Sequence, residues 1–540
     1  MIIEGKSKDI FQKMTRDYQM VFPCGGGGTC GKCRVKIESE NSVPITQADR
    51  LLISKQAISE GYRLACHLKG DNWVRAYVPD QSMTASEGIQ ILRTGHLAPF
   101  VIDPVIYYKQ EEKKIYYLDR PLANWQESKS FYIVTVDIGS TTIVVSLLDG
   151  QSGQEITSET CLNPQRRFGQ DVMSRISSVQ KNSENLTEMQ GAVLSEIRDI
   201  LVQMCLNHEI EFEQVFGIFI AGNAVMNHIL LGVSPEPLGV APYQLVIKDL
   251  QERNFHEMGF DCFGEGILAT LPNVSAFVGG DIVAGILATA LYRQQQTCLF
   301  VDIGTNGEIV LVHKGKMYSA SCAAGPALEG MNITCGMTAQ PGAIEEATFS
   351  RASLRYKTIA KKKAVGICGS GILALIRECL KEELIIPRGN IAKAEALSPR
   401  LQTYIDNKAK KIWIDRRRNI FISQGDIRQI QLAKGAILSG IQALMAQAGI
   451  DAEDIDRVLI AGQFGAYVTA ESLTVVGLVP KSLKDKIEYV GNTSQAGCRM
   501  FALNHHFYHR VNQMVAEIQH VELSLLPGYD RLFAKATLFK

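Results

Sequence analysis

One pattern occurs twice in this chain, and it limits the fold more than any other feature. YIVTVDIGSTTIVVSLLDG begins at Tyr132, and LFVDIGTNGEIVLVHKG begins at Leu299. Each is an apolar strand ending on an acid, Asp137 or Asp302, then a turn of small residues and a second apolar strand. The first turn carries Gly139, Ser140, Thr141 and Thr142; the second carries Gly304, Thr305, Asn306 and Gly307, with Glu308 behind it. Such turns expose backbone N–H and hydroxyl donors suited to phosphate oxygens, and an acid at the strand end can hold the waters of a bound Mg²⁺. A single hairpin of this kind has a plain alternative, an ordinary turn between buried strands. Two copies, with their acids 165 residues apart, predict an internal duplication whose hairpins clamp a polyphosphate from both sides.

Three further segments extend the pattern. VLIAGQFGAYV, at 458–468, reads as a buried strand running into Gly462 and Gly465, where glycine lets the backbone approach a flat ligand such as adenine. GGDIVAGILAT at 279–289 and GICGSGILALI at 366–376 each read as a glycine turn opening a small-residue helix, the second carrying Gly369, Ser370 and Gly371. In chain order the five segments resemble the phosphate 1, connect 1, phosphate 2, connect 2 and adenosine motifs of the acetate kinase, sugar kinase, Hsp70 and actin (ASKHA) superfamily. That resemblance covers 131 to about 500 and implies a two-lobed ATPase. It places Asp137 and Asp302 around Mg²⁺ and the attacking water, and the turn residues and glycines named above around ATP. Asp281, at a helix start, is the candidate for a third acid near the γ-phosphate, where a general base is often found; its alternative is helix capping. Glu308 is a candidate for holding Mg²⁺ or a partner residue.

The N-terminal region carries a different chemistry. PCGGGGTCGKCRVKI starts at Pro23, so Cys24, Cys30 and Cys33 are separated by five and two residues, and Cys66 follows after a further 32. This is close to plant-type ferredoxin spacing with one extra residue in the first gap. Three thiolates from one loop and a fourth from a distant strand suit a [2Fe-2S] cluster. Gly25 to Gly28 let the backbone curl and aim amide N–H groups at the cluster sulfurs. Structural zinc usually pairs two CxxC knuckles, and only one is present. Ferredoxin domains of this kind open with a β-hairpin, yet IFQKMTRDY before the loop reads as helix, so the first strand is expected to be short or missing.

Composition closes off other classes. The chain has 56 basic and 56 acidic residues, so no overall field draws it to nucleic acid or an anionic membrane. No run of about 18 uncharged apolar residues is present, and a cytoplasmic protein is expected. Nine of the thirteen cysteines lie outside the cluster set and read as ordinary buried thiols, as at Cys205, Cys298 and Cys498. The expected architecture is multidomain α/β. A β-grasp [2Fe-2S] domain spans 1–79, a linker 80–130, the first ASKHA lobe 131–295 and the second lobe 296–540.

A ferredoxin domain fused to this ATPase fold resembles the reductive activators of corrinoid proteins, often called RACo. Further segments carry the likeness: FGQDVMSRI at 168–176, AGNAVMNHILLG at 221–232, CAAGPALEGMNITCGMTAQPGAI at 322–344 and GNTSQAGC at 491–498. Two of these have plainer readings, since Asp171 and Arg175 suit an i,i+4 helix pair and His228 a packed core histidine. The resemblance implies ATP-dependent reduction of Co(II) to nucleophilic Co(I) in a methyl-transferring corrinoid protein. It also implies one electron from the cluster, a low-potential donor such as ferredoxin or flavodoxin, and a homodimer. A plant-type cluster sits near ~−400 mV and the cobalt couple is expected lower. Each 100 mV of climb costs roughly 2.3 kcal/mol per electron, within reach of ATP hydrolysis. Alternatives are an activator ATPase of 2-hydroxyacyl-CoA dehydratase or benzoyl-CoA reductase type, and a non-catalytic redox or nucleotide sensor.

Overall fold

The structure, a computed structural model, describes residues 1–17, 31, 33–39, 41–53, 55–78, 93–350, 353–462 and 467–539. At the N-terminus four antiparallel strands lie in the order Ile2–Lys6, Trp73–Tyr77, Arg34–Glu38 and Tyr62–Leu64. The first strand is therefore present, five residues long, and pairs along its length with Trp73–Tyr77. The helix expected after it runs over Ile10–Arg16 and buries Ile10 and Met14 against Ile3, Val35, Val74 and Ala76.

Residues 106–124, which charge and proline content read as linker, form a three-stranded antiparallel sheet of Ile106–Lys109, Lys114–Tyr117 and Arg120–Asn124. Composition is a poor guide there because each short strand needs only one or two apolar side chains. Val105, Ile106, Ile115 and Tyr117 are buried in a core shared with Ile133, Phe216 and Phe219, and Trp125 meets Phe216 edge to face at 5.1 Å.

The duplicated pattern becomes two sheets of matching topology. In the first, Glu155–Leu162, Thr142–Asp149 and Tyr132–Ile138 form an antiparallel meander, with Val215–Gly222 and Ile267–Thr270 added in parallel beyond Tyr132–Ile138 and Gln251–Asn254 at the edge. In the second, Lys316–Cys322, Gly307–His313 and Cys298–Ile303 form the meander, and Arg457–Ala461 and Ile487–Gly491 are the parallel additions. The central strands are buried on both faces, as near-continuous apolar runs such as VFGIFIAG demand.

Segments from the end of the chain return to the first lobe. Helices Thr493–Leu503 and His505–Ala516 follow strand Ile487–Gly491 in the chain and precede Ile518–His520, the strand at the other edge of the second sheet, yet they reach the first lobe. Gln495 Nε2 donates to Thr135 Oγ1 at 2.9 Å, and the Cys498 thiol to the Phe219 carbonyl at 3.1 Å. Helix Thr493–Leu503 also lies on helix Gly280–Ala288, and a β-carbon on Gly497 would sit 1.8 Å from the Ala284 carbonyl oxygen. This helix pair lies between the lobes, with Gly285 close against Phe300 of the second sheet, whereas helix Gly369–Lys381 packs on strand Ala343–Ser350. Gly497→Ala is expected to destabilise the lobes by about 3 kcal/mol, the upper part of the usual overpacking range. The melting temperature should drop by roughly 5 °C or more, read by thermal scanning.

Candidate functional site

Both hairpin turns open into one cleft of about 230 Å³ between the lobes. Asp137 and Asp302 stand at the C-terminal ends of their strands, and Gly139, Ser140, Thr141, Thr142, Gly304, Thr305 and Asn306 line the same space. Asp281, Glu308, Gly369, Ser370 and Gly462 also line it. Gly371 does not: a β-carbon there would be 1.9 Å from the Ile344 carbonyl oxygen, so this glycine lets helix Gly369–Lys381 pack on strand Ala343–Ser350. Gly462 has φ +86°, and its β-carbon would fall 2.5 Å from Asp302 Oδ1, so only glycine suits it. Gly465 lies outside the described residues.

Among the described residues, six carboxylates line the cleft, and four of them, Asp137, Asp281, Asp302 and Glu308, stand close enough for their charges to act on one another. Asp137 is held by Ser494 Oγ at 2.7 Å and Asn492 Nδ2 at 2.9 Å, yet burial raises its pKa above the usual carboxylate range. Burial, then the charges of Asp281 and Asp137, push Asp302 up to about 7. Burial likewise raises Asp281 and Glu308. Gly279 is the N-cap of helix Gly280–Ala288, and the Asp281 carboxylate, which also lines the cleft, accepts the first-turn Ile282 N–H at 2.9 Å, as the capping alternative expects. Glu308 pairs opposite Asp302 in the second hairpin, where the first hairpin has Val144 opposite Asp137. The duplication has therefore diverged, and only one copy carries a second acid.

Crowded buried carboxylates call for a cation. No three of them converge closely enough to ligate one bare ion among the described residues. Mg²⁺ dehydrates reluctantly and keeps several waters, so these acids fit a hydrated ion shared with phosphate oxygens. Arg166 is the one cation among the described residues that line the cleft, and it faces Glu329 rather than the four acids.

Sequence reasoning missed Arg166, Glu329, Asn223, Asn492 and Ser494. Asn223 Nδ2 reaches Ser140 Oγ at 3.1 Å. Arg175 is fully buried and does not form the expected helix pair. It donates to the Gly169 carbonyl and Gln165 Oε1 at 3.0 and 3.1 Å and to the Ser140 carbonyl, bracing the first turn. Asp171 instead caps helix Val172–Lys181 through Ser174. His228 is the satisfied core histidine expected, with Nδ1 donating to the Ala224 carbonyl at 2.7 Å and Nε2 accepting the Ile247 N–H at 3.1 Å.

In the N-terminal sheet, Arg34 pairs with Leu64, so the residue before one strand and the turn after the other meet. Cys33 Sγ and Cys66 Sγ stand 3.3 Å apart. That is too far for a disulfide, whose sulfurs lie ~2.05 Å apart. It is near the ~3.7 Å expected of two thiolates on one tetrahedral ion with metal–sulfur bonds of about 2.3 Å. The pair therefore fits a metal–sulfur group; Cys24 and Cys30 lie outside the described residues. Of the other cysteines, Cys205, Cys298, Cys322, Cys368, Cys379 and Cys498 are buried, Cys161 and Cys335 partly so, and Cys262 is exposed. No helix among the described residues is long and apolar enough to cross a membrane.

Comparison with known proteins gives matches along most of the chain. A family profile described as the RACo middle region matches residues 132–294, and one described as the C-terminal domain of RACo, the ASKHA domain, matches 296–540. The corrinoid activation enzyme RamQ of Eubacterium limosum is 29% identical over 96% of this chain and 93% of its own. The [Co(II) methylated amine-specific corrinoid protein] reductase of Methanosarcina barkeri is 25% identical over 69% of this chain and 70% of its own. A solved structure titled reductive activator for corrinoid, iron-sulfur protein has a TM-score of 0.72 at 27% identity, covering 98% of this chain and 95% of that one. A shorter match, 40% identical over 58 residues (11% of this chain and 14% of the relative), is to a component of the Na⁺-translocating NADH-quinone reductase of Pasteurella multocida.

Proposed function

We propose that this chain, which belongs to the RACo family, is an ATP-hydrolysing enzyme that returns a methyl-transferring corrinoid protein from Co(II) to Co(I). The observation that carries the reading is the single cleft into which both acid-tipped hairpins open. A cleft so built suits a nucleotide polyphosphate, and the same chain carries the Cys33 and Cys66 thiols in a separate small sheet.

The residues divide the task. The turns at Gly139 to Thr142 and Gly304 to Asn306 offer backbone N–H and hydroxyl donors to phosphate oxygens from opposite lobes. Ser370 and Gly369 open a helix toward the cleft and Gly462 flanks Asp302, a setting for the nucleoside end. Asp137, Asp302 and Glu308 would hold a hydrated Mg²⁺, whose charge would offset that of the phosphates. Asp281, with its raised pKa, is suited to take a proton from the attacking water. Cys24, Cys30, Cys33 and Cys66 would hold a [2Fe-2S] cluster, which supplies a one-electron carrier. The likeness to the NADH-quinone reductase component supports a ferredoxin-like N-terminal domain at 1–79. The remaining features of this reading are a donor such as ferredoxin or flavodoxin, a cytoplasmic setting and a homodimer.

The direct test is to follow Co(I) by its visible absorbance in mixtures of this chain, a reductant and candidate corrinoid proteins, with and without ATP. One partner should stimulate ATP hydrolysis and gain Co(I) only when ATP is present. Equal Co(I) formation without ATP would overturn the reading.

A further inference from the structure

Arg166 and Glu329 are charged residues of the cleft that belong to neither hairpin. Arg166 sits in the turn Pro164–Arg167 of the first lobe and is only 6% exposed. Its position is fixed by Gln170, whose Oε1 accepts from Arg166 Nε at 3.2 Å and whose Nε2 donates to the Arg166 carbonyl at 2.9 Å. Glu329 ends the turn Pro326–Glu329 of the second lobe.

Glu329 does an unusual thing for an acid beside a phosphate site. Its Oε1 accepts from Thr305 Oγ1 at 2.8 Å, and its Oε2 lies 3.5 Å from Thr141 Oγ1. One carboxylate thus bridges a hydroxyl from each hairpin, with the Arg166 guanidinium as its nearby charge. A carboxylate and a phosphate accept from the same donors, so Glu329 occupies hydrogen bonds that an incoming phosphate needs. The turn carrying it is held unequally. A β-carbon on Gly330 (φ +80°) would meet the Met337 carbonyl oxygen at 2.2 Å, whereas one on Gly325 (φ +74°) would meet nothing within 4 Å. The Gly330 end is wedged, and the Gly325 end has room to turn.

We infer that Glu329 is a resident anion at the position of the terminal phosphate, and that Arg166 selects a triphosphate by taking over the charge pairing when that phosphate displaces Glu329. This rests on the cleft being the ATP site. A diphosphate ends one phosphate short and leaves the Glu329 bridge in place. A triphosphate meets Thr141, Thr305 and Arg166 together and breaks the bridge, so the carboxylate tie between the lobes exists only without it. Both are positioning residues, and their signature is discrimination between nucleotides rather than turnover alone.

The test is calorimetric affinity of the full chain for Mg²⁺ with a non-hydrolysable ATP analogue and with ADP. Arg166→Gln should weaken the triphosphate analogue about tenfold or more, the usual range for a lost charge-assisted hydrogen bond, and ADP by less than about threefold. Arg166→Lys should recover part of the loss. Glu329→Gln keeps the shape but removes the competing charge, and should tighten the analogue several-fold relative to ADP. Equal shifts for both nucleotides would overturn the inference, as would a Glu329→Gln chain that loses turnover with its analogue affinity unchanged. Wild-type chain that binds neither nucleotide would instead remove the ATP-site reading itself, and this inference with it.

Discussion

Asp302→Asn is expected to slow ATP hydrolysis by about 100-fold or more, the scale seen when a positioned general-base or charge-stabilising group is removed. The residue stands at the strand end of the second hairpin, lines the cleft and lies close against the Gly462 backbone. Asparagine fills the same volume but cannot carry the charge that a hydrated cation needs. The same change should stabilise the nucleotide-free chain. Asp302 has its pKa raised to about 7 by burial and by Asp281 and Asp137, so the folded chain binds a proton there that the unfolded chain has already lost. Stability therefore falls as pH rises from about 4, the unfolded carboxylate value, to about 7, and the full penalty is present above that. At pH 8 the variant should melt higher than wild type, and at pH 5.5 the gap should shrink because both side chains are then largely neutral. Lower turnover with a higher melting temperature at pH 8 is a combination that a misfolded variant would not give. A variant that hydrolyses ATP at the wild-type rate would remove Asp302 from the reaction.

Replacing Cys66 by Ser is expected to reduce Co(I) formation to the rate without the protein. Its thiol lies 3.3 Å from that of Cys33, and a serine hydroxyl is a poor ligand for iron that prefers thiolate. The visible absorption and the EPR signal of the reduced chain should be lost in the variant. Metal analysis of the wild-type chain should return two irons per chain and no stoichiometric zinc. Iron content and EPR signal that survive the substitution would show that Cys66 is not a ligand, and stoichiometric zinc would replace the cluster by a structural site.

The acid of the second hairpin and the thiol of the small sheet lie at opposite ends of the chain's chemistry, and both stand in readable sequence patterns. The hairpins were legible because a strand that ends on an acid, a small-residue turn and a second strand has one local geometry wherever it occurs. The matched sheet orders and shared cleft are what that duplication required. The pairing of Cys33 with Cys66 was legible in the same way, through thiol spacing. The small sheet at 106–124 was hidden by its short strands and many charges. Gly371 stands away from the cleft because a glycine at a helix start serves close packing as readily as it serves a ligand, and the neighbour that decides is Ile344.

What the sequence determined by itself sits in short contiguous runs: two small-residue turns with their acids, the spacing of the cysteines, and helices opened by glycine. Tertiary structure alone decided which distant groups complete them. Asn492 reaches Asp137 across 355 residues of chain, and Glu329 reaches Thr141 across 188. Gly497 meets Ala284 only because a helix from the end of the chain returns to the first lobe. Local patterns follow from backbone geometry that each residue carries with it. Cross-lobe contacts depend on how whole sheets and helices pack, and a lone Arg166 or Glu329 carries no mark of that packing in its neighbours along the chain. The hairpins line only part of the cleft, and Asn223, Glu329, Asn492 and Ser494, which complete it, come from segments whose local pattern does not mark them as cleft residues.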